Sequence, residues 1–94
     1  MVYLAITPMG LAEALRQAVS TDTVWCGADA ISEAEWAAIP LPKPSRITYD
    51  LGDRFLLNDA LGTIQEHHFG QTIWVEAPAA SELGAWRPEA VGRQ

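Results

Sequence analysis

Apolar positions along this 94-residue chain fall into short blocks, and the spacing within each block separates strands from helices. Val2 to Ile6, "VYLAI", is a continuous apolar run with β-branched and aromatic members, the pattern of a strand buried on both faces. Beyond it Leu11, Ala14, Leu15, Ala18 and Val19 recur at helical spacing, with Glu13, Arg16 and Gln17 on the other side. This predicts a helix from Pro8 to Val19. "STDT" interrupts it, and Thr23 to Cys26 reads as a second strand.

In "SEAEWAAI", Ser32 and Glu35 have the spacing of a capping box, which predicts a short helix from Glu33 to Ile39 with Trp36 and Ile39 inward. The prolines of "PLPKP" stop it and favour an extended connection. "RITYDL" then alternates Ile47 and Tyr49 with Arg46, Thr48 and Asp50, the period of a half-buried strand. Asp53 is placed to cap a third helix, whose apolar stripe is Phe55, Leu56, Leu57, Ala60, Leu61 and Ile64. Gly62 weakens its middle by about 1 kcal/mol relative to Ala, and Gly70 stands where a C-terminal cap belongs. "TIWVEA" is the fourth strand.

Strands joined through helices predict one α/β domain over residues 1–77, a small three-layer arrangement with a four-stranded, mainly parallel sheet. The alternative is a ferredoxin-like α+β sandwich, in which two strand–helix–strand halves make an antiparallel sheet with helices on one face. Residues 78–94, rich in Ala, Pro and Gly, are expected to form a partly ordered C-terminal tail, with Trp86 folding back on the body or meeting another chain.

Composition narrows the partners. A hydrophobic fraction of 49% with four tryptophans supplies a core, and a disordered chain would be poorer in both. The net charge of −6, with Lys43 the only lysine and the arginines scattered, argues against nucleic acid and against an anionic membrane surface. No stretch has the apolar length of a membrane span. The opening residues lack the basic start and long apolar core of a signal peptide. Cys26 is alone, so no internal disulfide forms, and a cytoplasmic setting is the expectation.

Candidate chemistry is sparse. In Thr7-Pro8-Met9-Gly10, Thr suits a helix N-cap, Pro the first helical position, and Gly a close backbone approach. The functional alternative is that the free amides of this helix start, with Thr7 and Gly10, hold an anion or carboxylate. Pro8 removes one donor, and neither a phosphate-loop lysine nor a dinucleotide glycine triplet is present. The stretch "LAITPMGLAEAL" resembles the start of the N-terminal domain of the cobalamin-pathway enzymes that open a lactone ring on a cobalt-precorrin. There too a strand passes through Thr-Pro-x-Gly into an Ala/Leu-rich helix. The resemblance implies an α/β fold and carries over no activity or site residue.

Cys26 and Asp29 lie just past a strand end, where open α/β sheets collect ligands. A Cys26 nucleophile needs a base, for which His67 or His68 are the candidates, but a lone cysteine more often packs a core. His67 and His68 fall at the end of the third helix, where protonated imidazoles gain about 0.3–1 kcal/mol from the dipole. Adjacent helical residues diverge, so one metal would need further ligands such as Asp50 or Asp53. Asp50 and Asp53 are explained equally by a turn and an N-cap, with Arg54 beside them.

No cofactor or metal is expected, and no assembled catalytic motif is present. The leading expectation is a non-enzymatic protein-interaction or regulatory module, a homodimer in particular, with Trp86 contributing. One alternative is a small-molecule or anion-binding domain, or a minor enzyme, with its site at Thr7, Gly10, Cys26, Asp29, Asp50 and Asp53. Another is an acidic inhibitor of a basic partner.

Overall fold

A computed structural model describes residues 1–40, 43–76 and, through the backbone alone, 86–89. Eight elements follow one another: β1 (Val2–Ala5), α1 (Pro8–Gln17), β2 (Thr23–Cys26), α2 (Glu33–Ala37), β3 (Ser45–Arg46), α3 (Arg54–His67), β4 (Ile73–Glu76) and β5 (Trp86–Glu89). The five strands form one sheet in the order β3-β2-β1-β4-β5. The first four are parallel to one another, and β5 runs antiparallel to β4. The fold is therefore α/β with a mainly parallel sheet, and the ferredoxin-like alternative is excluded. The sheet has a fifth strand beyond the four expected. Of the stretch 78–94, residues 86–89 supply it, while the interaction assigned to the Trp86 side chain lies outside the described residues, as do Leu41 and Pro42 of the proline-rich connection.

The alternation of β1 shows why there are three layers. Val2 and Leu4 point to one face, where they join Ile73, Val75, Ala60, Ile64, Ile47 and Leu51 beneath α3. Ala5 points to the other, with Val24, Cys26, Leu11, Ala14 and Ala30 beneath α1. A central strand buried on both sides has no polar positions, which accounts for the unbroken "VYLAI". Leu4, Ile64 and Ile73 are fully buried, and each such side chain stabilises by about 1.5–3 kcal/mol.

Several boundaries shift from the sequence pattern for local reasons. α1 stops at Gln17 because Ala18 turns extended, and Asp22 then closes a loop by accepting the Val19 N–H. Val19 consequently lies beyond the helix and exposed, and Leu15, within it, is also exposed instead of inward. On α3 the core-facing residues are Ala60 and Ile64, whereas Phe55 is 83% exposed and leaves the expected stripe. α2 ends at Ala37 and contains no buried residue, with Trp36 half-buried. Gly70, at φ 82°, occupies the turn beyond the Cap residue His68, a left-handed conformation that favours glycine.

β3 keeps only Ser45 and Arg46, although the alternation ran on to Asp50. Ile47 still donates its N–H to Cys26 O. The chain then bends so that Asp29 accepts the N–H groups of Leu51 and Gly52, while Ala28 donates to Tyr49 O. Leu51 is thereby seated beneath α3.

Candidate functional site

In an open parallel sheet the ligand crevice lies beyond the carboxyl ends of the strands, where the connections leave in opposite directions. Here that switch point is between β1 and β4, since the chain leaves β1 toward β2 and β3 and returns to β4 on the other side. The turn after β1 is Ile6-Thr7. Thr7 is the N-cap of α1, with extended backbone and a hydroxyl that accepts the Gly10 N–H at 3.0 Å, and Pro8 opens the helix. These residue types make the turn for the reasons their propensities suggest.

What occupies the crevice is a side chain of the same molecule. The register Leu4↔Val75 carries the end of β4 level with this turn. Glu76, 8% exposed, reaches across into it. Its Oε1 accepts the N–H groups of Ile6 at 2.7 Å and Thr7 at 2.8 Å, and its Oε2 accepts the Thr7 hydroxyl at 2.5 Å. Thr7 Oγ1 thus donates to Glu76 while accepting from Gly10. A carboxylate at the positive end of α1 is also favoured by the helix dipole. Gly10 is buried, and a Cβ built on it would overlap the Glu76 carboxyl group. The donors that an external anion would use already hold an internal one.

The other candidate residues separate. Asp29 binds the connection between β3 and α3, as described above. Asp53 caps α3 by accepting the N–H groups of Phe55 at 2.8 Å and Leu56 at 3.2 Å. Asp50 is exposed in the same connection. Cys26 lies fully buried in the α1-side cluster, and burial pushes its thiol up to about 11. Its neighbour Trp25 points to the opposite face, where it meets both histidines. A Cys–His pair is therefore not assembled. At neutral pH the thiol is therefore held protonated and is a poor nucleophile. Iodoacetamide should leave Cys26 unmodified in the folded protein and label it promptly in urea, as mass spectrometry would read. Rapid labelling without denaturant would contradict this environment.

His68 departs from the protonated form expected at a helix end. Its Nε2 accepts the Trp25 indole N–H at 3.1 Å, so the neutral ring is the one held. Among the described residues no group of three or more His, Cys, Asp or Glu converges as a metal site would require. An open groove of about 440 Å³ lies at the far end of the sheet, beside Leu15, Val19, Val24 and Pro44, away from the switch point.

Glu76 is the residue that sequence reasoning missed. Within "TIWVEA" it looks like the polar end of a strand. The available signal was a carboxylate closing an otherwise apolar block, but its meaning depends on β4 lying beside β1. No helix among the described residues is long and apolar enough to cross a membrane. Comparison with protein-family models, curated proteins and solved structures yields no match.

Proposed function

We propose that the domain is a non-enzymatic module that acts by binding another protein, a second copy of itself being the specific expectation. The observation that carries this reading is the Glu76 carboxylate in the β1–β4 crevice, the place where folds of this topology keep substrates and cofactors. Thr7, Asp29 and Asp53 are engaged in internal hydrogen bonds, and Cys26 is buried. In contrast, Met9, Val19, Phe55 and Phe69 are between 63% and 83% exposed, apolar side chains that a protein partner could cover. Two-fold dimers are the commonest assemblies of such chains. A single buried thiol is in keeping with a cytoplasmic setting.

Light scattering after size-exclusion chromatography tests the dimer. A mass twice that of the chain at micromolar concentration is expected, returning toward the monomer mass in Phe55→Ser or Phe69→Ser. A monomer at high micromolar concentration removes self-association. In parallel, amide NMR spectra recorded with phosphate and with acetate should show no saturable shifts at Ile6, Thr7 or Gly10. Such shifts would replace the protein-binding reading with the anion-binding one.

A further inference from the structure

At the C-terminal end of α3, two imidazoles flank one indole. The Trp25 and His68 rings meet edge-on, 6.0 Å between centroids, with the indole N–H directed at His68 Nε2, and the His67 ring lies 5.7 Å from the same indole. His68 is also the C-cap, donating its N–H to Ile64 O and accepting from Gln71 N–H. Trp25 packs into the α3-side core from the middle of β2. This one side-chain hydrogen bond therefore ties the end of the helix to the sheet.

We propose that the Trp25–His68 contact is a pH-operated latch, closed while His68 is neutral and opened when the ring takes up a proton. The indole N–H can only donate, and a doubly protonated imidazole can only donate as well. Protonation therefore turns an acceptor facing a donor into two opposed donors. The groups around the ring act in the same direction. His67 stands beside it on α3, and the Met1 ammonium, paired with Asp22 at 3.0 Å, adds positive charge from the start of β1. Burial, then His67, then that ammonium hold His68 below its ordinary 6.5. The unfolded chain takes up this proton near pH 6.5 and the folded chain at lower pH. The latch thus contributes its whole stabilisation above that pH and loses it progressively as the pH falls through the folded value. Mild acidification, of the kind to which histidine is suited, would free Trp25 and loosen the last turn of α3.

The test follows the four indole N–H resonances of the intact protein by NMR from pH 8 to pH 5, with Trp25→Phe identifying the Trp25 signal. The Trp25 resonance should move upfield with a single titration, in step with the His68 ring carbons, while the other three indoles stay in place. In His68→Gln, whose side-chain oxygen accepts the indole without titrating, that movement should vanish; in His67→Gln it should persist. If His68→Gln fails to fold, the nitrogen shifts of the wild-type ring decide the matter, since the latch requires an unprotonated Nε2 at pH 8. A Trp25 signal that ignores pH, or that titrates with His67 instead, overturns the proposal, as does a His68 ring protonated at Nε2 at pH 8.

Discussion

Replacing Glu76 by alanine is expected to destabilise the domain by about 3 kcal/mol or more, because it strips the acceptor from three donors at the β1–β4 crevice. The Ile6 and Thr7 N–H groups cannot turn elsewhere, being held by the strand end and the start of α1. Glu76→Gln retains one oxygen for those two amides and should lose roughly half as much, since only the charge and the contact with the Thr7 hydroxyl change. For a domain of this size each kcal/mol corresponds to about 4–8 °C in melting temperature, so the alanine variant should melt more than about 10 °C lower. Urea unfolding of the three proteins measures the series. An alanine variant within about 0.5 kcal/mol of the parent, the range of ordinary surface changes, would mean that the carboxylate does not sit in the crevice.

Gly10→Ala should change sign with its partner. In the parent, the new methyl group overlaps the Glu76 carboxyl, and displacing that group is expected to cost about 1–3 kcal/mol, outweighing the gain of about 1 kcal/mol in helix propensity. In the Glu76→Ala background the obstruction is gone, and Gly10→Ala should stabilise by up to about 1 kcal/mol. A double-mutant cycle by denaturant unfolding isolates this coupling. Additive effects at the two positions would contradict the contact, whereas a reversal of sign assigns the glycine to the carboxylate and not to helix initiation alone.

The local parts of this architecture were legible because their causes are local. The "VYLAI" run, the Thr7-Pro8 start, the Ser32 cap and the Asp53 cap each act within a few residues, and each stands in the structure. The shortening of β3 was not legible, since it follows from Asp29 accepting the Leu51 and Gly52 amides, over 20 residues away in the sequence. Exposure of Leu15 and Phe55 depends on which neighbours cover each helix face, and helical periodicity does not contain that information. The candidate site divided for the same reason. Cys26 is kept from the histidines at the end of α3 because Trp25, which meets them, and Cys26 alternate to opposite faces of β2. Glu76 acquires its partner only through strand order.

The central position of β1 also governs how the chain can fold over time. The first strand made is flanked by β2 on one side and by β4 on the other, and Ile6 waits for a partner 70 residues downstream. β1, α1 and β2 can come together early, but the α3-side core beneath Val2 and Leu4 is completed only when Ile73 and Val75 arrive. Such distant pairings place the loop-closure entropy ahead of the contacts that offset it, which slows folding. A nascent chain shorter than about Glu76 exposes the open flank of β1, and the same strand edge is available to other chains until β4 closes it. The crevice carboxylate is thus among the last interactions to form, so its removal should accelerate unfolding far more than it retards folding.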